Sequence, residues 1–212
     1  MRLPELGGRS GVSTATIKYY LREGQLPAGV RIGATQADYD ESPLRRLRLV
    51  RALLQAGRLP VATAREVPAH VDDESLGLTI RLGAALWALP HGPAPDEDAP
   101  ETATARTEVA AMLAELGRPT AEELGELAPA HRSPVGSVAT LIRLGHPCDG
   151  EYLVEQARVM RRVAMRDLGS VEEFPTEGER VEAAVASAVL SEPLPASRRP
   201  AQAKEAAQRY RR

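Results

Sequence analysis

Between Gly11 and Pro27 the chain sets a helix of fixed length between two turns, and this stretch most limits what the rest can do. Ser13 stands where an N-cap is needed, with Thr14, Ala15 and Thr16 opening the helix behind it. Gly24 supplies the residue that ends a helix in left-handed geometry. Ile17, Tyr20 and Leu21 fall at i, i+3 and i+4 and form one inward stripe. The other faces carry Thr14, Thr16, Lys18, Tyr19 and Arg22. Hydroxyls, cations and an exposed aromatic suit entry into a major groove and grip on the flanking phosphates. The same residues also suit a solvated polar face, and the spacing alone leaves both readings open.

The flanks restrict the choice. Pro4 belongs in the first turn of a short helix with Leu3 and Leu6 on its buried face, and Gly11 turns the chain after it. Residues 28–39 hold Gly29, Val30, Ile32, Gly33 and Tyr39, too short between glycines for a helix, and read as a small β-hairpin carrying Arg31. Ser42 and Pro43 are expected to start a third helix, with Leu44, Leu47, Val50 and Leu54 inward and Gly57 at its end. Arg45, Arg46, Arg48 and Arg51 are expected on its other, solvated faces. A short fourth helix is expected from Pro60 to Val67. A helix-turn-helix with a basic hairpin beside it is a winged helix, and a wing contacts backbone or minor groove.

The charge distribution agrees. Residues 1–68 hold 11 Lys/Arg against 6 Asp/Glu, residues 69–195 hold 10 against 22, and the tail Ala196–Arg212 holds 6 against 1. The formal net charge of −2 therefore averages a basic head, an acidic body and a basic tail. A basic head on an acidic body fits a nucleic-acid-binding module joined to a non-binding one. Aromatics are only 3% of the chain, so its cores must be built from Leu, Val and Ala, which favours helices.

The run Gly11-Val12-Ser13-Thr14-Ala15-Thr16-Ile17-Lys18-Tyr19-Tyr20-Leu21-Arg22-Glu23-Gly24-Gln25-Leu26-Pro27 closely resembles the recognition motif of the MerR family of bacterial transcription regulators. Asp38-Tyr39-Asp40-Glu41, followed by Leu44 and Leu47, resembles that family's exit from the wing into its third helix. The resemblance covers residues 1–68. It implies a homodimer on a pseudo-palindromic promoter operator, changing the twist and bend of an overlong spacer that RNA polymerase must read, with repression or activation set by an effector. It also implies DNA contacts from Thr16, Lys18 and Tyr19 on the recognition helix and from Arg31 on the wing, with Tyr20 partly in the core; Ser13, Thr14, Tyr20 and Arg22 complete the candidate DNA-binding set. The chain departs from the family's Gly-Tyr-Arg-x-Tyr wing stretch, reading Ala34-Thr35-Gln36-Ala37-Asp38-Tyr39: the arginine expected just before Tyr39-Asp40 is missing, and Asp38 sits nearby.

Behind the head, a helix is expected from about Glu74 to Leu89, capped by Asp72 or Asp73. Leu78, Leu82, Ala85 and Leu89 repeat in 4-3-4 spacing and make a candidate dimer seam, short for the family. Trp87 lies off that seam and is expected in core or dimer packing. Residues 90–104, with four prolines and Asp96, Glu97, Asp98 and Glu101, read as an acidic linker. Residues 105–190 read as an all-helical module of four or five helices, with capping-box character at Thr120–Glu123, that binds an unknown small-molecule effector or stabilises the dimer. Residues 191–212 form a basic tail. The expected fold class is thus mainly α: a winged helix-turn-helix with a small hairpin, a short dimerisation helix and a helical C-terminal module.

Several function classes are disfavoured. Cys148 is the single cysteine, so no intrachain disulfide or cysteine-based zinc cluster can form, and no metal or cofactor is expected. His131 and His146 read as surface or loop residues. No run of ~18 apolar residues is present to span a membrane, which fits a cytoplasmic protein. No nucleophile–base constellation or phosphate-cradling glycine loop points to an enzyme. An architectural or excision-type DNA-binding protein without sensing is the alternative to a regulator, and the long helical body argues against it.

Overall fold

The computed structural model describes residues 1–33, 36–73, 75–92, 94–115, 117, 129–191 and 209. The order of elements is α1 (Leu3–Ser10), α2 (Thr14–Arg22), β1 (Val30–Arg31), β2 (Ala37–Asp38), α3 (Glu41–Gln55), α4 (Val61–Asp72), α5 (Leu78–Trp87), α6 (Pro100–Glu115), α7 (Pro129–Arg143), α8 (Gly150–Glu172) and α9 (Glu177–Leu190). The chain divides into two compact units, residues 1–89 with 171–212, and residues 90–170.

Local chemistry sets the boundaries in the first unit. Pro4 occupies the first turn of α1, and Gly11 closes it at φ 65°, its N–H donating to the Gly7 carbonyl. The Ser13 hydroxyl caps α2 by accepting from the Thr16 N–H at 3.1 Å. The third helix begins earlier than its Ser42-Pro43 pair suggests. The Asp40 carboxylate accepts from the Ser42 N–H at 2.9 Å and so takes the capping position. The fourth helix does not stop at Val67. It runs through Pro68 to Asp72, and the lost backbone bond is offset by burial of Val67, Pro68 and Val71. The hairpin pairs Val30 with Asp38 and Arg31 with Ala37, antiparallel.

Two cores hold this unit together, and α3 serves both. Leu6, Ile17, Leu26, Tyr39, Leu44 and Leu47 pack α1, α2 and the hairpin onto one side of α3. Leu49 and Leu53 leave its other end to meet Val67, Val71 and Ala85. The third contributor to that second core is α9, through Val181, Val185 and Val189. Each buried valine is worth roughly 1.5–3 kcal/mol relative to exposure.

That placement corrects the grouping of residues 105–190 as one module. Residues 177–190 are helical as expected, with Thr176 and Glu179 forming a reciprocal capping box, but they belong to the head's own core. It also corrects the dimer seam. Ala85 is fully buried, and Leu78, Leu82 and Leu89 pack partly buried against the same cluster. Their 4-3-4 spacing marks an apolar face, and α4 and α9 of the same chain cover it. The helix itself is shorter than expected, with Gly77 and not Asp72 or Asp73 at its N-cap. Trp87 is 48% exposed rather than in the core.

In the second unit, Ala105, Val109, Val135, Val138, Ala139, Cys148 and Leu153 form one core, with Met112, Leu113 and Ile142 at its edge. The helix α6 starts at Pro100, inside the stretch read as linker. Proline is acceptable there because a first-turn N–H has no partner to lose. Thr120–Glu123, the side chain of His131 and most of the basic tail lie outside the described residues. His146 is exposed. Cys148 is buried, and burial followed by the charge of Asp149 pushes its thiol pKa up.

Candidate nucleic-acid interface

The interface is built outward from the Ser13 cap. Besides the Thr16 N–H, the Ser13 hydroxyl meets the Thr16 hydroxyl at 2.8 Å, so these two candidate contacts are held together at the start of α2. Ile17 is fully buried and pins the helix, while Tyr20 and Leu21 are half-buried against the first core. The opposite faces are thereby fixed outward. Thr14, Lys18 and Arg22 are exposed, and Tyr19 is half-buried.

Tyr19 has neighbours that sequence spacing does not reveal. The Arg22 guanidinium lies 5.3 Å from its ring centroid, and that of Arg65, from α4, lies 5.1 Å away. Both are within cation–π range, worth roughly 0.5–1 kcal/mol each at an exposed site. Tyr20 is tilted against Tyr19 with ring centroids 5.9 Å apart. The α2 surface thus gains a cation from α4. In sequence Arg65 is one basic residue in a short helix, and nothing marks it as a neighbour of Tyr19.

The hairpin stands beside this helix. Val30 and Arg31 of β1 and Ile32 just after it are all exposed, in the order apolar, basic, apolar. Gly29 is demanded at its base, because a Cβ there would sit 2.7 Å from the Asp38 carbonyl oxygen and 2.8 Å from the Tyr39 ring. Lys18, Arg31 and Arg2 line a shared cleft of 860 Å³ with Leu21, Gln36 and Tyr39. Arg2 donates to the Gln36 side chain at 2.9 Å, another contribution the spacing does not show.

Asp38 stands in the wing, and its charge is answered locally. The Met1 ammonium donates to its carboxylate at 2.7 Å and to the Tyr39 carbonyl at 2.6 Å. That hydrogen bond and charge hold the Asp38 carboxyl below its ordinary pKa. Arg9 and Glu41 make a bidentate pair at 2.7 and 3.1 Å that ties α1 to the start of α3. The acidic groups around the wing are therefore engaged, and Lys18, Arg22, Arg31 and Arg65 remain exposed cations.

A capped helix with outward cations and hydroxyls, a tyrosine flanked by guanidiniums, and a basic hairpin form one continuous polar surface. Residues 1–70 match the family model of MerR helix-turn-helix regulatory proteins. The whole chain is also similar to SCO5550 from Streptomyces coelicolor A3(2), a candidate transcriptional regulator of known crystal structure. The two are 56% identical, the match spans 99% of this chain and 98% of that one, and the TM-score is 0.82. This chain belongs to the MerR family.

No functionally curated protein matches it. Membership in the MerR family makes the chain a DNA-binding transcription regulator, with residues 1–70 as its helix-turn-helix head. In this MerR-type protein the helix after the fourth is folded into its own chain's core, so Leu78, Leu82, Ala85 and Leu89 do not present a free seam. No described helix is long and apolar enough to cross a membrane.

Proposed function

We propose that the protein is a homodimer that binds a pseudo-palindromic promoter operator and controls transcription by altering spacer geometry for RNA polymerase bound to the same promoter. The observation that carries this reading is the joint presentation of Lys18, Arg22 and Arg65 around Tyr19 with Arg31 on the adjoining hairpin. In this reading Thr14, Ser13 and Thr16 sit over the groove, Lys18 and Arg22 grip phosphates, and Arg31 reaches the backbone or minor groove from the wing. Tyr20 acts from the edge of the core. Bending the spacer costs energy that the added contacts repay.

A small-molecule effector completes the proposal. It must bind the two DNA-bound states unequally in order to shift them. A thermal-shift screen of metabolites and drugs in the presence of operator DNA addresses this part, and a screen without a stabilising compound favours a regulator that does not sense.

The test of the main reading is a footprint on the promoter region next to the protein's own gene. The expected protection covers two half-sites spaced by a whole number of helical turns and lies between the promoter hexamers. Protection of a single half-site, or protection remote from the hexamers, contradicts it.

A further inference from the structure

The last helix of the chain, α9, ends against the DNA-binding head. Val181, Val185 and Val189 seat it in the second core, and Ser191 caps it. Its last turn rests on the end of α3, so closely that a Cβ on Gly57 would sit 2.3 Å from Cγ1 of Val189. The chain beyond Ser191 therefore starts out beside the turn between α3 and α4.

That turn belongs to a basic edge of the head. From Ser42 to Arg65 the sequence holds six arginines and no acidic residue. Arg45 and Arg46 are engaged by Glu179, Glu182 and Asp72, whereas Arg48, Arg51, Arg58 and Arg65 are exposed. Arg58 stands in the turn itself, next to Gly57. Arg51 donates to the Ser10 carbonyl at 3.0 Å, at the turn that leads into α2. Arg65 lies against the Tyr19 ring of α2. No more than about 20 Å separates Gly57 from Arg65, four steps of chain and four of helix. The place where α9 ends is thus close to the surface built around Tyr19.

The sequence that follows fits the same ligand. Residues 196–212 carry Arg198, Arg199, Lys204, Arg209, Arg211 and Arg212 against Glu205 alone. They hold no Leu, Ile, Val, Met, Phe or Trp, so they offer a partner charge rather than an apolar face. The basic edge at their root repels them, and a polyanion neutralises both. Duplex DNA, the ligand of the head, carries one phosphate charge per roughly 1.7 Å of its axis. From Ser191 the chain can reach about 25 Å to Arg198 and about 70 Å to Arg212.

We propose that residues 196–212 are a DNA-binding arm, gripping phosphates that flank the stretch under α2 and adding affinity without reading sequence. Attachment at Ser191 keeps the arm's cations at high local concentration once α2 has docked.

The test neutralises the arm in the full chain, with Arg198→Gln, Arg199→Gln, Lys204→Gln, Arg209→Gln, Arg211→Gln and Arg212→Gln combined and circular dichroism confirming the fold. Binding is titrated at several salt concentrations on the protein's own upstream promoter region and on an unrelated duplex of the same length. With about three phosphates met by the arm, the slope of log K against log salt falls by about three, and Kd at physiological salt rises roughly 10- to 100-fold on both duplexes. A second variant combines Arg198→Lys, Arg199→Lys, Arg209→Lys, Arg211→Lys and Arg212→Lys, keeps the charge, and is expected to bind within about twofold of wild type. An unchanged salt slope in the neutralised variant overturns the arm. Tighter binding by that variant also overturns it, because the acidic body would then hold residues 196–212 away from DNA. A loss confined to the promoter duplex, or a lysine variant as weak as the neutralised one, overturns the sequence-independent grip by charge.

Discussion

Arg46 and Glu182 lie 136 residues apart in sequence and 2.6 Å apart in space, joining α3 of the DNA-binding head to the C-terminal helix α9. The Arg46 side chain is 3% exposed, and its other nitrogens donate to both oxygens of Asp72 at 2.8 and 3.0 Å. Burial alone would lower its pKa. Its hydrogen bonds to Asp72 and the charge of Glu182 outweigh that, and the guanidinium is held more firmly protonated than usual. Around it Arg45 pairs with Glu179 at 3.0 Å, and the buried Arg81 donates to Glu177 at 3.1 Å and to the Val71 carbonyl. The head is thus fastened to the far end of the chain by paired charges beside an apolar core.

Arg46→Met leaves Glu182 without its closest partner in a mostly buried site. Removing one member of a buried pair costs about 3 kcal/mol. Urea unfolding should show this loss, while Arg48→Met, at an exposed position of the same helix, should lie within about 0.5 kcal/mol of wild type. Equal midpoints for the two variants would remove the pair from the fold's support.

The close approach of α9 to the end of α3 gives a second prediction. A Cβ on Gly57 would sit 2.3 Å from Cγ1 of Val189 and 2.8 Å from the Leu53 carbonyl oxygen. Gly57→Ala must push α9 outward, with an expected cost of about 1–3 kcal/mol. Limited proteolysis should then cut the chain between Val171 and Thr176 faster than in wild type. An unchanged cleavage rate and melting temperature would show that α9 is not seated there.

These contacts also show what sequence can and cannot reveal. The head was legible because its signals are local. Ser13 caps a helix three residues on, Gly11 and Gly24 supply left-handed turns at φ 65° and 70°, and Pro4 opens a first turn. Periodicity in Leu78, Leu82, Ala85 and Leu89 revealed an apolar face but not its occupant, which comes from a helix about a hundred residues later. Sequence alone puts Arg46 in solvent with its three neighbours, because only Asp72 and Glu182, both remote, make its burial tolerable. At the start of α3 two capping residues two positions apart, Asp40 and Ser42, compete, and the carboxylate of Asp40 prevails. Of the interface, α2 and Arg31 were legible, whereas Arg65 and Arg2 reach it from other elements.

Cys148 offers a pH-dependent readout. Its pKa is raised by burial and then by Asp149, so the native state favours the neutral thiol. A group raised on folding contributes stability below its unfolded pKa, and that contribution is lost as pH rises through the folded value. Alkylation near pH 8 should therefore be slow in the native protein and fast in urea, with the difference narrowing at more alkaline pH. Rapid native labelling at pH 8 would place the thiol at the surface.

Within the interface, Lys18 and Arg65 should behave differently from base-reading residues. Lys18→Ala is expected to weaken binding to all sequences alike and to lower the salt slope by about one. Arg65→Ala removes a cation beside Tyr19 and should weaken binding in the same sequence-independent way. A competition assay with operator and unrelated DNA checks both, and a loss confined to the operator would reassign either residue to base recognition.

The most direct test of the central claim is a titration of the full-length protein against its own upstream promoter region at several salt concentrations. A DNA-binding head that grips phosphates through Lys18, Arg22, Arg31 and Arg65 predicts tight binding, with log K falling linearly and steeply as log salt rises. Binding that is absent, or that does not change with salt, would contradict the account.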